Sequence, residues 1–144
     1  MYQSKQQNVD GYQIYTPALT VGDSFFHQRL ANDLYRALTQ HELLLYFQPQ
    51  AQTSTGKITG LEVLVRWQHP QLGLVPPNRF IPIAEEAGLI DRLGEWVLRA
   101  ACLQYRQWRQ AGLPPLTLAV NLSASQLENP QLIHRVQEVL EDTG

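Results

Sequence analysis

A chain of 144 residues, 44% hydrophobic and with a formal charge of −2, has room for one domain with a core and carries no field that would draw DNA or RNA broadly. Its charged fraction of 17% lies below the about 25% usual for a soluble domain, which points to surface meant to be covered by something else. No apolar run is long enough to form a membrane segment and no leader pattern occurs, so the expectation is a soluble, cytoplasmic chain.

Residues 1–7 read as the last turns of a helix, and Asn8-Val9-Asp10-Gly11 reads as a turn, because Asp-Gly tolerates left-handed geometry. A short strand follows over residues 12–16 and is cut by Pro17. Over residues 23–40, Phe26, Leu30, Leu34 and Leu38 recur every fourth position, the face of an amphipathic helix capped by Asp23 or Ser24. Residues 43–49 form a nearly continuous apolar run, which suits a strand buried on both faces. A turn at residues 53–56 then joins it to a second strand over residues 57–67. So short a loop predicts an antiparallel hairpin.

Pro76-Pro77 breaks the chain, and Asn78 is placed to cap a short helix through Ala87, ended by Gly88. The longest helix runs over residues 89–111, with Leu93 and Val97 on its apolar side, and stops at Gly112 and Pro114-Pro115. Lone Cys102 lies in that helix as an expected buried packing residue. Residues 116–122 alternate strictly, with leucines and Val120 on one face and Thr117, Ala119 and Asn121 on the other. Asn129-Pro130 starts a last helix whose stripe is Leu132, Ile133, Val136, Val139 and Leu140. The order of strands and helices is that of the start of a β/α barrel, of which a complete copy takes about 250 residues. On these boundaries the third strand is an unpaired edge and the inner face is open, so self-association of the chain is expected.

Two places carry candidate chemistry. Glu62, Leu64 and Arg66 fall on one face of the second strand. A carboxylate there suits a divalent cation and a guanidinium suits a phosphate. The bland alternative is an internal salt bridge, which would have to span Cα atoms about 13 Å apart at about 3.3 Å per residue. Asn121 lies at the C-terminal end of a strand, where barrel enzymes keep their sites. Its alternatives are a cation ligand or a cap for the Ser123-Ala-Ser-Gln-Leu turn that follows.

The segment from Gly60 to Ile90, with Glu62-Val63-Leu64-Val65-Arg66-Trp67, His69-Pro70, Gly73, Pro76 and Phe80-Ile-Pro-Ile-Ala-Glu85, closely resembles the signature of the EAL family of bacterial cyclic di-GMP phosphodiesterases. It departs at one signature letter, reading Glu62-Val63-Leu64 in place of Glu-Ala-Leu. The resemblance implies an α/β fold, a partial TIM-like (β/α) barrel with an antiparallel first strand. It implies Mg2+ or Mn2+ on Glu62 and on Asn121, within Val120-Asn-Leu-Ser123. It also implies that Arg66 forks onto a phosphate of cyclic di-GMP, that Leu64 packs on the dinucleotide, and that Gln48, before Pro49, lies in the substrate groove. A solvated strand end is the competing reading of Gln48. Glu85 and Glu86 belong to the resemblance without chemistry, with a hydrogen bond near the rim expected of them.

Residues 1–18, with Met-Tyr-x-x-Lys and a tyrosine-rich strand, resemble the end of a GGDEF domain. The implied organisation is a GGDEF tail over 1–18, a linker helix over 19–41 and a truncated EAL domain over 42–144. By the same resemblance the remaining ligands, a later glutamate, an Asp-Asp pair, a lysine and others, lie beyond the position of Gly144. No catalytic set is then complete in this chain, the cation site is weak or absent, and the isolated chain is expected not to turn over substrate. The alternatives are a degenerate EAL module that binds cyclic di-GMP or a partner protein without hydrolysis, and an inactive fragment.

Overall fold

Helix α1 (Val21–Ala37) opens the computed structural model, which describes residues 21–144, with side chains from Phe26 onward. The expected GGDEF-like segment 1–18 lies outside the described residues. Leu30, Leu34 and Ala37 of α1 are buried in the same core as the sheet, while Phe26 at the head of the predicted stripe stays exposed. Strand β1 (Leu43–Ala51) pairs antiparallel with β2 (Ile58–His69), from Leu43 opposite Trp67 to Gln50 opposite Gly60, as the short turn demanded.

The chain then doubles back in β3 (Gly73–Val75), antiparallel to the end of β2 and not anticipated from the sequence. Helices α2 (Pro77–Glu86) and α3 (Ile90–Gln110) cross over to β4 (Thr117–Val120), which lies parallel to β2 with Val120 opposite Val63. Strand β2 is therefore central, with β1 along one edge and β4 and β3 along the other. Among the described residues this four-stranded sheet does not close.

Alternation along β2 decides what each face does. Leu61, Val63, Trp67 and His69 point to the helices and are buried, while Glu62, Leu64 and Arg66 point to the other face and are half-exposed. Trp67 and Phe80 of α2 meet edge to face with ring centres 5.8 Å apart, in the same buried cluster as Leu34, Leu93, Val97 and Ala101. Strand β1 follows the same rule. Leu43, Leu45 and Phe47 turn to the core, whereas Leu44, Tyr46 and Gln48 are exposed, so the expectation of a strand buried on both faces is corrected. Its apolar run reads as doubly buried, but no described element covers the second face.

Several ends also move. Pro76 is the N-cap of α2, with Asn78 inside the first turn, because proline at the first helical position needs no hydrogen-bonded N–H. Helix α4 (Ala124–Leu127) forms where only a turn was expected. Helix α5 (Leu132–Thr143) begins after Gln131, and Asn129 Oδ1 accepts the N–H of Gln131, the residue just ahead of the helix. On α5, Val139 is buried while Ile133 and Leu140 are exposed, and Cys102 of α3 is half-buried where full burial was expected.

Gly88 closes α2 at φ +67°, where only glycine sits without steric cost. Gly88→Ala is expected to lose about 1–2 kcal/mol, since nothing but that backbone conformation opposes the methyl group. A urea midpoint unchanged from the parent would contradict this.

Candidate active site

The open face of the sheet gathers the predicted residues. Gln48 stands directly opposite Glu62 in the β1–β2 register, Tyr46 opposite Leu64, and Leu44 opposite Arg66. On the other side of β2, Ala119 of β4 is the partner of Glu62, so Asn121 emerges just past the strand end, beside the same carboxylate. Asn121 Nδ2 donates to Glu62 Oε1 at 2.9 Å. An acid and an amide 59 residues apart are thus brought together by parallel pairing alone.

Ser123, not Asn121, caps the turn that follows. Its hydroxyl accepts the Gln126 backbone N–H, and the Gln126 side chain accepts the Ser123 N–H in return. The capping alternative for Asn121 is thereby corrected, and the amide is left to face Glu62. Serine followed three positions later by glutamine was the available signal.

Arg66 makes no ion pair with Glu62. Its Nη1 donates to the Val65 carbonyl at 2.8 Å, and the guanidinium lies over the Tyr46 ring, 5.4 Å from its centre. Among the described residues no carboxylate pairs with Arg66, so a cation stands ready on a half-open surface. Tyr46 is the member of the site that was not anticipated from the sequence. An aromatic two positions before Gln48 was the signal, since such residues share a strand face. Leu64, Arg66 and Asn121 line a cavity of about 220 Å³ whose apolar wall is Ile81, Ile90 and Leu93. Glu85 accepts a hydrogen bond from the Ser125 hydroxyl at 3.4 Å at the rim, the structural contact expected of it.

The residue types suit a hard cation, a carboxylate beside a carboxamide, but the atom that meets Glu62 is the Asn121 Nδ2, so Oδ1 would have to turn inward to act as a ligand. The number of donors does not suit one. Among the described residues no cluster of three or more His, Cys, Asp or Glu side chains could hold a metal ion. Two donors leave most of an oxygen shell to water.

Residues 31–144 match the EAL domain family. An uncharacterized signaling protein of Caulobacter vibrioides is 43% identical over 145 residues, covering 100% of this chain and 17% of that protein. The bifunctional diguanylate cyclase/cyclic di-GMP phosphodiesterase MucR of Pseudomonas aeruginosa is 39% identical over 140 residues, covering 97% of this chain and 20% of MucR. The chain thus spans less than a quarter of the length of either relative. The solved structure of the PaMucR phosphodiesterase in complex with c-di-GMP superimposes with a TM-score of 0.75 at 43% identity, over 80% of this chain and 47% of that one. The unclosed sheet is part of an EAL-type fold, and the chain belongs to the EAL domain family.

Proposed function

We propose that the open face of the sheet is the N-terminal part of a cyclic di-GMP site of the EAL phosphodiesterase type, incomplete within these 144 residues. The observation that carries this reading is the convergence of Glu62 and Asn121 next to an Arg66 that has no carboxylate partner among the described residues. Arg66 holds a phosphate of the dinucleotide, Leu64 lies between the polar groups as a flat apolar contact, and Gln48 borders the groove. Glu62 and Asn121 are the two residues that would ligate Mg2+ or Mn2+. A bound cation would activate water, but two protein ligands do not hold it firmly enough for that chemistry. Among the described residues no second acid on this face is placed as a base, so these residues by themselves bind and orient without hydrolysing.

The sequence resemblance of residues 1–18 and the diguanylate cyclase half of the MucR relative's name support a GGDEF domain upstream in the whole protein, with the cytoplasm as its expected compartment. Among the described residues nothing pairs with the outer edges of β1 and β4, which supports self-association of the isolated chain.

Calorimetric titration of cyclic di-GMP in the presence of Mg2+, with chromatography for the linear dinucleotide pGpG, tests the assignment. The expected result is weak binding without product, and a roughly tenfold or greater loss of affinity in Arg66→Ala, since a charge-assisted contact is worth about 1.5–3 kcal/mol. Turnover by the pure chain would refute the incompleteness of the site. Equal affinity of Arg66→Ala would refute the phosphate role.

A further inference from the structure

We propose that Gly94 and Gln126 are positioning residues for Asn121, acting through the turn between β4 and α4; this rests on the reading of Asn121 and Glu62 as the polar end of the site. Gln126 is only 4% exposed, and both ends of its side chain are engaged. Its Oε1 accepts the Ser123 N–H at 3.0 Å, and its Nε2 donates to the Ile90 carbonyl at 3.4 Å. The carboxamide therefore lies flat on the backbone of the first turns of α3.

It can lie there only because position 94 has no side chain. A Cβ on Gly94 would stand 2.1 Å from Gln126 Nε2, closer than any real contact allows. Gly94 does not have the positive φ of Gly88, so space and not backbone conformation is what requires glycine here. The side chain thus pinned holds Ser123, and Ser123 stands two residues past Asn121. Asn121 and Leu122 are themselves exposed and have no core packing to fix them. Their placement comes from the pairing of β4 on one side and the Ser123–Gln126 box on the other. The route runs from a bare patch of α3, through a buried amide, to the residue that meets Glu62.

Two readouts on the isotopically labelled 144-residue chain test this. Alanine is the better helix former, so in a helix valued only for its propensity Gly94→Ala would raise the thermal midpoint. The expected result is the opposite sign, a fall of roughly 4 °C or more. In a Gln126→Ala background the space is vacated, and Gly94→Ala should then be neutral or stabilising. The second readout is the side-chain amide resonance of Asn121 by NMR. Its chemical shift, set by the bond to Glu62, should move in Gly94→Ala and in Gln126→Ala while core methyl signals stay in place.

Should Gly94→Ala fail to fold, recovery of the fold in the double variant supports the proposal, and failure to recover overturns it. A stabilised Gly94→Ala single variant, or an Asn121 amide unmoved in Gln126→Ala, also overturns it. Neither readout uses the dinucleotide, so a chain that binds no cyclic di-GMP leaves this test intact.

Discussion

Trp67→Ala lowers the unfolding free energy by about 3–5 kcal/mol, a large share of the about 5–15 kcal/mol that holds a domain of this kind together. Trp67 is 0% exposed near the C-terminal end of β2, inside the core cluster that joins the sheet to α1, α2 and α3. Its ring meets Phe80 of α2 and His69 of its own strand edge to face, and its Nε1 donates to Glu42 Oε2 at 3.1 Å. Truncation would leave a cavity walled by elements that cannot collapse independently, because β1, β3 and β4 are all registered on the same strand. It would also strip Glu42 of a donor. Urea unfolding followed by far-UV circular dichroism measures the loss. Leu127→Ala serves as the control, since Leu127 is 65% exposed and its removal should stay within about 0.5 kcal/mol. Equal midpoints for the two variants would refute the central role given to Trp67.

His69→Leu is expected to cost about 3 kcal/mol for a different reason, the orphaning of polar groups. His69 is 3% exposed, and its Nδ1 accepts the backbone N–H groups of Gln71 and Leu72, both at 3.1 Å. Nε2 therefore carries the ring proton and donates to Asp33 Oδ2 at 3.2 Å. Leucine fills much of the volume but offers no acceptor to the β2–β3 turn and no donor to Asp33. Asp33→Asn keeps an acceptor oxygen for the imidazole and retains the shape, so it should lose clearly less. If the asparagine variant proved the more damaging of the two in the same urea assay, the charge pairing of Asp33 with Arg36 at 3.1 Å would outweigh the orphaned amides.

The path of the chain through these groups explains how much could be read beforehand. The two faces of β2 were legible because Glu62 and Arg66 alternate with Val63, Val65 and Trp67, and alternation fixes a face whatever the register. The hairpin was legible because its turn is short. The second face of β1 was misread because Leu43 to Phe47 supplies apolar residues to both sides, and a sequence does not say which side finds a neighbour. Strand β3 has three residues and exists only by pairing with the end of β2, so no local signal announces it. Of the site, Glu62, Leu64 and Arg66 came from one strand and needed only its period. The meeting of Asn121 with Glu62 depends on a parallel register set by two intervening helices, and the link from Gln126 to Gly94 on the absence of one methyl group. Those are tertiary facts with no local pattern.

Helix α1 is keyed into the sheet in a way that bears on how the chain can be moved. Leu34 is fully buried beneath it, and Asp33 on the neighbouring position grips His69 at the end of β2. Arg36 reaches both Asp33 and Glu42, and Glu42 in turn holds the indole of Trp67. The connection to β1 is only five residues long, with Leu38 and Thr39 still bonded back to the helix. Helix α1 is thereby tied to the sheet twice, by side-chain bonds and by a short connection. The side-chain bonds end on His69 and, through Glu42, on Trp67, both on the strand that presents Glu62 and Arg66 from its opposite side.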